Sequence, residues 1–118
     1  MENGVAAASR AGLSPAAALF RSLGDPARLA IVRRLAAGQA RVTDLTAELS
    51  LAQSTVSKHL ACLRDCGLVR VEVVGRASVH SLALPAGDAL RDLLAAAEDL
   101  LAATGNKVAL CPAYGQLR

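Results

Sequence analysis

Aromatic residues are nearly absent from this sequence: its 118 residues include one Phe, one Tyr and no Trp. Because 53% of the residues are nonetheless hydrophobic, the core must be built from Leu, Val and Ala. That composition is typical of small helical proteins whose helices approach closely, and the length allows one domain with a modest core. We therefore expect a single, mainly helical domain.

Membrane-spanning and export segments are also missing. No uninterrupted apolar run is long enough to cross a bilayer, and the opening MENGVAAASRAGLSP lacks a basic segment followed by an apolar core. We expect a cytoplasmic protein without a membrane partner, in which thiols stay reduced. An odd number of cysteines, three, fits poorly with a disulfide framework, so metal binding or redox sensing is favoured.

The charge and motif content argue for a binding protein rather than an enzyme. There is no Gly-rich phosphate loop, no HExxH and no Ser-His-Asp ordering. A net charge of +3 is small for a DNA-binding monomer, but a homodimer doubles it. We expect no catalytic residues.

Helix start and stop signals divide the chain. Residues 1–13 are small and weakly polar, which predicts a flexible arm. Ser14-Pro15 predicts the start of a first helix, Asp25-Pro26 that of a second, and Thr43 the cap of a third. A terminal helix, stopped by Gly105-Asn106, is expected to pack on the first helix and across a dimer axis. Its apolar stripe is formed by Leu90, Leu93, Leu94, Ala97 and Leu101.

A short break at Ser50–Ala52 and a fourth helix over Gln53–Asp65 predict a helix-turn-helix, with Gly67 as the helix end. Projection at 100° per residue places Val56, Leu60 and Leu63 on the core side. The opposite side carries small hydroxyls and a lysine, which suit a DNA major groove, although an ordinary exposed face is the alternative. The predicted DNA contacts of this helix are Gln53, Ser54, Thr55, Ser57, Lys58 and His59. For His59, helix packing and a weak supplementary metal ligand are the alternatives.

Alternating residues after Gly67 predict a β-hairpin, with Gly75-Arg76 at the reversal. After a helix-turn-helix such a hairpin is a wing, and Arg76 at its tip is placed to reach a minor groove or a phosphate. His80, in the returning strand, is interpreted as a structural or surface histidine. The expected fold class is thus mainly α with a small β-hairpin: a winged helix-turn-helix of about five helices.

The cysteines form a candidate metal site. Cys62 and Cys66 are four residues apart on a helix, so their sulfurs are neighbours, and Cys111 lies in the tail. An all-sulfur site selects soft ions, which favours Cd²⁺ or Pb²⁺ and keeps As(III) in contention. Zn²⁺ is less favoured, because structural zinc usually has four ligands. The alternative is that these cysteines are small core residues.

Three stretches carry a family resemblance: DPARLAIVRRLAAG, VTDLTAELSLAQSTVSKHLACLRDCGLV and GRASVHSLA. Over residues 16–101 the chain resembles the ArsR/SmtB-type winged-helix repressors. The resemblance implies a homodimer that binds operator DNA when metal-free and releases it when the inducer binds. It also implies a winged-helix and dimerisation domain at residues 14–104, followed by a tail at 105–118 that carries a ligand cysteine.

The type of metal site depends on which branch of that family the chain resembles. Arsenic and zinc-cadmium branches often have a Cys-x-Cys motif at the start of the third helix, but Arg41–Asp44 has no thiol. Zinc, cobalt and nickel branches usually have Asp and His ligands on the terminal helix, which here has no histidine. The remaining pattern resembles the cadmium- and lead-sensing CmtR branch, which implies the ligands Cys62, Cys66 and Cys111. The resemblance allows the third ligand to be Cys111 of the partner subunit.

Two rival functions use the same thiols: an arsenite-responsive repressor and a repressor that senses oxidation of Cys62 and Cys66. An enzyme or a pure dimerisation module is a rival from another class. One departure from the family pattern is Ala52, where many members have a serine that caps the recognition helix.

Overall fold

The structure, a computed structural model, describes residues 2–111, with side chains described from residue 12 onward. The described residues form five α-helices, three short strands and a final 3-10 turn. The elements are α1 (Glu2–Leu23), α2 (Pro26–Ala36), β1 (Ala40–Arg41), α3 (Val42–Leu49), α4 (Gln53–Asp65), β2 (Val69–Val74), β3 (Ala77–Leu82), α5 (Ala86–Ala103) and the 3-10 turn (Lys107–Leu110). The predicted fold class, mainly α with a small β-hairpin, is confirmed.

Aliphatic side chains of α2, α3 and α4 form the centre of the core. The predicted inward face of α4 is confirmed, since Val56, Leu60 and Leu63 are at most 1% exposed. The other fully buried aliphatics are Ile31, Val32, Leu35 and Leu45. Helix α4 is therefore fixed by one face, and its opposite face remains at the surface.

The starts of α2 and α3 show how well local signals predict helix ends. Asp25 caps α2 as expected: its Oδ1 accepts the backbone N–H groups of Ala27 at 2.9 Å and Arg28 at 3.1 Å. For α3 the predicted cap at Thr43 is wrong, because the helix begins at Val42 and its cap position is Arg41, two residues before Thr43. There the carboxylate of Asp44 accepts the backbone N–H of Arg41 at 3.0 Å and satisfies the helix start.

The first helix is longer than predicted. It runs from Glu2 through Pro15 to Leu23, so the predicted start at Ser14-Pro15 is wrong. Pro15 removes one helical hydrogen bond, but the alanines on either side have the highest helix propensity and favour continuation. The mobility of residues 1–13 stays a prediction, as do the domain boundaries at 14 and 105. Residues 112–118 of the predicted tail lie outside the described residues.

The hairpin lies in a three-stranded antiparallel sheet with the order β1-β3-β2. Its register pairs Val69 with Leu82 and Val74 with Ala77, which places Gly75 and Arg76 at the reversal as predicted. Gly75 has φ +64°, a conformation that favours glycine. Strand β1 was not predicted, because two residues are too few for a periodic signal. The wing is thus joined to the segment before α3.

Candidate nucleic-acid interface and thiol site

The outer face of α4 presents the polar side chains that the sequence predicts. Gln53, Ser54, Ser57 and Lys58 are exposed, and Thr55 is half-buried. The turn before α4 depends on Ser50, whose φ of +54° reverses the chain after α3. A rigid helix with small hydroxyls and one cation on its outer face can enter a major groove without steric conflict.

His59 does not lie on that outer face. Its side chain is only 16% exposed, with Nε2 3.9 Å from Asp25 Oδ1 and Nδ1 3.4 Å from Arg28 Nη1. Because a guanidinium can only donate, Nδ1 is assigned as the acceptor and Nε2 carries the hydrogen in the neutral ring. The structure therefore places His59 at the contact between α2 and α4, and a DNA contact by this residue stays a prediction.

Arg28 connects three helices beside the thiols. Its Nε donates to the backbone oxygen of Ser22 in α1 at 2.8 Å, while its Nη1 approaches His59 in α4. The backbone hydrogen bond from Arg28 lowers the pKa of Asp25, and the charges of Arg28 and His59 lower it further. This role of Arg28 was not identified from the sequence, because contacts between helices leave no periodic signal.

The thiol pair lies at the C-terminal end of α4. Cys62 and Cys66 are both exposed, and the backbone N–H of Cys66 donates to Cys62 O at 3.0 Å. Burial raises the pKa of the Cys66 thiol, and the neighbouring Cys62 raises it further. Thiolates are the metal-binding form, so the raised pKa makes coordination at neutral pH release protons.

Cys111 follows the 3-10 turn and is half-buried. Among the described residues of one chain, no group of three or more His, Cys, Asp or Glu side chains is arranged to hold a metal ion. One protomer thus brings Cys62 and Cys66 together without Cys111. The three-cysteine ligand set stays a prediction, as does the involvement of Cys111 of the partner subunit.

An apolar cleft of about 260 Å³ opens beside Cys66. It lies between the last turns of α1 and the segment after α4, and its lining consists of Pro15, Ala18, Leu19, Ser22, Cys66 and Leu68. The only hydroxyl in this lining, Ser22 Oγ, is buried and has no hydrogen-bond partner among the described residues. The thiol end of α4 is therefore bounded by α1.

A second cleft, of about 230 Å³, lies between α4 and the wing. Its polar lining residues are Ser57, Arg64, Ser78 and His80. His80 is 4% exposed, and its Nδ1 has no partner among the described residues. Burial lowers the pKa of His80, and the nearby charge of Arg64 lowers it further.

Burial of His80 agrees with the structural interpretation of this residue. Its position two residues before the buried Leu82, on the same side of the strand, was the sequence signal for burial. Arg64 and Ser78 were not predicted as functional residues, because their proximity depends on the packing of the hairpin on α4. At the wing tip Arg76 is exposed, as predicted.

The described residues include no helix that is both long and apolar enough to cross a membrane.

Known proteins are similar to this chain in sequence. The family model described as "Bacterial regulatory protein, arsR family" matches residues 25–71, from the cap of α2 into β2. The HTH-type transcriptional regulator CmtR of Mycobacterium tuberculosis is 44% identical over 70 residues, which are 59% of this chain and 59% of CmtR. The match therefore spans about three fifths of the length of that curated relative.

Solved structures extend the similarity to the fold. Rv0081 of M. tuberculosis is 32% identical with a TM-score of 0.69, over 77% of this chain and 89% of Rv0081. The homodimeric winged helix-turn-helix DNA-binding domain of Mb0332 from Mycobacterium bovis has a TM-score of 0.68 at 23% identity, over 79% of this chain and 87% of that domain. The arrangement of α3, α4 and the β2-β3 hairpin is thus a winged helix-turn-helix. The matched family is one of regulatory proteins rather than enzymes, and the chain belongs to it: it is a member of the ArsR family.

Proposed function

We propose that this chain is a homodimeric, cytoplasmic repressor that binds operator DNA when metal-free and releases it on binding Cd²⁺ or Pb²⁺. The observation that carries the proposal is that one helix bears both the polar side chains suited to DNA and the thiol pair suited to a metal ion. The 13-residue helix α4 has an exposed polar face with Ser57 and Lys58, and it has the thiol pair at its end. A change at the thiols can therefore alter the orientation of the DNA-reading side chains.

The DNA-binding part of the proposal depends on charge and shape. The hydroxyls and Lys58 on α4 suit base edges and phosphates of a major groove, and Arg76 at the wing tip suits the adjacent minor groove or backbone. The net charge of +3 per protomer doubles in a dimer. Electrostatic attraction to phosphates then supplies affinity that falls as salt is added.

The homodimer is supported by apolar surface on α1 and α5. On α1, Leu13 is 62% exposed and Phe20 is 59% exposed, and on α5 Leu100 is 65% exposed. Exposed large hydrophobic side chains on two helices indicate a protein interface. The similar domain of Mb0332 is homodimeric, and a two-fold axis presents two recognition helices to two half-sites of DNA.

The metal-binding part of the proposal depends on thiol chemistry. Cys62, Cys66 and Cys111, the last from the same or the partner subunit, would supply three thiolates, a ligand set that prefers soft ions. Coordination would tie the end of α4 to the tail and favour a dimer in which the recognition helices no longer match successive major grooves. By linkage, operator DNA must weaken metal binding by the same factor by which metal weakens operator binding.

The proposal is tested by titrating the complex of protein and operator DNA with Cd²⁺, Pb²⁺, arsenite and peroxide, using an operator selected from random duplexes by the metal-free protein. Cd²⁺ or Pb²⁺ should lower operator affinity by up to about 150-fold, which corresponds to about 3 kcal/mol of coupling. Sulfur-to-metal charge-transfer absorption reports binding directly. Cys62→Ser and Cys111→Ser should abolish the response, while Ala109→Ser, a matched change in the exposed part of the tail, should retain it.

Each rival has a distinct outcome in the same titration. Release by arsenite but not by Cd²⁺ or Pb²⁺ would establish the arsenite-responsive repressor. Release by peroxide without any response to metal would establish the redox sensor. If Cys62→Ser or Cys111→Ser still released DNA with Cd²⁺, the assigned ligand set would be wrong.

A further inference from the structure

The positive charges of this protein are divided between two environments. Four arginines are paired with carboxylates: Arg33 with Glu98, Arg34 with Glu48, Arg91 with Asp88 and, beside the wing, Arg41 with Asp44. At the surface formed by α4 and the wing, the side chains of Lys58, Arg64 and Arg76 have no ion pair or hydrogen bond among the described residues. Arg21 and Lys107 share this property but lie apart, on α1 and the 3-10 turn.

Arg64 belongs to the cleft between α4 and the wing. With Ser57 of α4, and Ser78 and His80 of β3, it forms the polar part of a lining that is otherwise aliphatic and contains no carboxylate. All four polar side chains can donate hydrogen bonds. A cleft that combines a guanidinium, two hydroxyls and an imidazole is suited to an anion of about the size of a phosphate.

His80 supplies the independent sign that this cleft takes a ligand. The residue is 4% exposed, yet its Nδ1 is buried without a partner among the described residues. Leaving a buried polar atom unpaired costs free energy, so such atoms are usually satisfied by a protein group, an ordered water or a bound ligand. The cleft that His80 lines is the available source of a partner.

The sheet register places the wing's one carboxylate, that of Glu72, on the face of the hairpin opposite to this cleft. Val71 pairs with His80 and Val73 with Ser78, so these residues share one face of the hairpin. Glu72 pairs with Val79 and therefore belongs to the opposite face, as does the pair of Arg70 and Ser81. The cleft accordingly faces away from the wing's carboxylate.

We propose that Ser57, Arg64, Ser78 and His80 form a phosphate site that holds one backbone phosphate of bound DNA between the recognition helix and the wing. The site is continuous with the DNA-reading face, since Ser57 belongs to both. It rests on the proposed DNA-binding function and adds Arg64, Ser78 and His80 to the interface. Because a phosphate carries no sequence information, this contact contributes affinity and register rather than specificity.

The test measures DNA affinity of the full-length protein as a function of salt, on the operator and on an unrelated duplex. The slope of log affinity against log salt is negative. In Arg64→Gln its magnitude should decrease by about 0.9 per protomer, or about 1.8 for a dimer, equally on both duplexes. The matched control is Arg70→Gln, which removes the same charge from the opposite face of the wing, where Arg70 Nε donates to Ser81 Oγ at 3.0 Å. This control should change the slope by less than half as much.

A free phosphate ion offers the same chemistry as the DNA backbone. Inorganic phosphate is therefore titrated into DNA-free protein, with the imidazole resonances of His80 as the readout. We expect those resonances to respond to DNA in the wild type and much less in Arg64→Gln, and to respond to inorganic phosphate only weakly. Tight, saturable binding of inorganic phosphate, with an unchanged DNA salt slope in Arg64→Gln, would assign the site to a free anion and overturn the proposal.

Other outcomes are equally decisive. Equal slopes for Arg64→Gln and the wild type would overturn the phosphate site while leaving the repressor proposal intact. A loss confined to the operator would mean that Arg64 reads bases, which also overturns the site. If the wild type bound neither duplex at low salt, the proposed DNA-binding function itself would fail. Arg64 is exposed, so its replacement is compatible with folding.

Discussion

Two clefts of similar volume and different chemistry flank the recognition helix α4. The cleft beside Cys66 measures about 260 Å³ and is lined mainly by apolar groups of α1. The cleft beside His80 measures about 230 Å³ and combines Arg64 with two serines and the histidine. The two sides of one helix are thus built for different partners, with thiols and helix contacts on one side and hydrogen-bond donors on the other.

The two sides also differ in how they hold α4. On the thiol side, a chain of polar contacts runs from Ser22 through Arg28 to His59 and joins α4 to α1 and α2. On the wing side, the buried Nδ1 of His80 lacks a hydrogen-bond partner within the described residues. Under the proposed function, a change at the thiols would reach α1 and α2 directly, and under the proposed phosphate site the wing side would complete its contacts when DNA binds.

The strongest test of this division is Arg28→Gln on the thiol side. Loss of the contact should reduce the coupling between metal and operator by 0.5–2 kcal/mol, a roughly 2- to 30-fold smaller response to Cd²⁺. The measurement is operator affinity with and without Cd²⁺, together with the DNA salt slope, which should not change. Arg33→Gln is the matched control, because Arg33 is exposed and its Nη2 lies 3.9 Å from Glu98 Oε1, away from the thiols. An unchanged Cd²⁺ response in Arg28→Gln would remove Arg28 from the coupling.

A smaller effect is expected from Asp25→Ala at the same junction. The loss of the α2 cap should lower the free energy of unfolding by about 1 kcal/mol near neutral pH, measured by urea denaturation. The folded-state pKa of Asp25 is lowered from 3.8, so its stabilisation is present above that value and is lost as pH falls through the folded pKa. The variant and the wild type should therefore converge in strong acid. Asp25→Asn, which keeps a capping side chain, should be milder at neutral pH, and equal losses in both variants would contradict the cap assignment.

The smallest effect is expected on the wing side, from His80→Phe. The folded-state pKa of His80 lies below 6.5, so the unfolded chain takes up a proton first as pH falls. Wild-type stability should consequently decline as pH falls below 6.5, until the folded pKa is reached. His80→Phe should lack this part of the decline in DNA-free unfolding experiments. Parallel pH profiles for the two proteins would show that His80 is not buried in its neutral form.

Local sequence signals predicted the elements that carry their own caps and periodicity. The bounds of α4, the cap of α2 by Asp25 and the reversal at Gly75-Arg76 all depend on residues close in sequence, and all three are confirmed. The predicted start of α1 was wrong because Pro15 was interpreted as a first-turn residue, although it lies inside a longer alanine-rich helix.

The candidate site was predictable only in part, for a related reason. The exposed face of α4 follows from helical projection, and so does the proximity of Cys62 and Cys66. The orientation of His59 toward Arg28, and the meeting of Arg64 with His80, depend on how separate elements pack. The position of Cys111 relative to the thiol pair depends on the path of the tail and on a second subunit, neither of which leaves a sequence period.

The two ends of α4 are closed differently. At the start, Ala52 provides no side-chain cap, and the first hydrogen bond of the helix is from Val56 N–H to Ala52 O at 3.0 Å. At the end, Gly67 N–H donates to Arg64 O at 2.9 Å and Leu68 N–H to Leu63 O at 3.0 Å, so the last turn is closed by the backbone. Amide protons at the start of α4 should therefore exchange with solvent through local fraying, while those at the thiol end exchange only through larger openings. Under the proposed function, α4 can thus adjust its first turn to each DNA site without disturbing the end that holds the thiols.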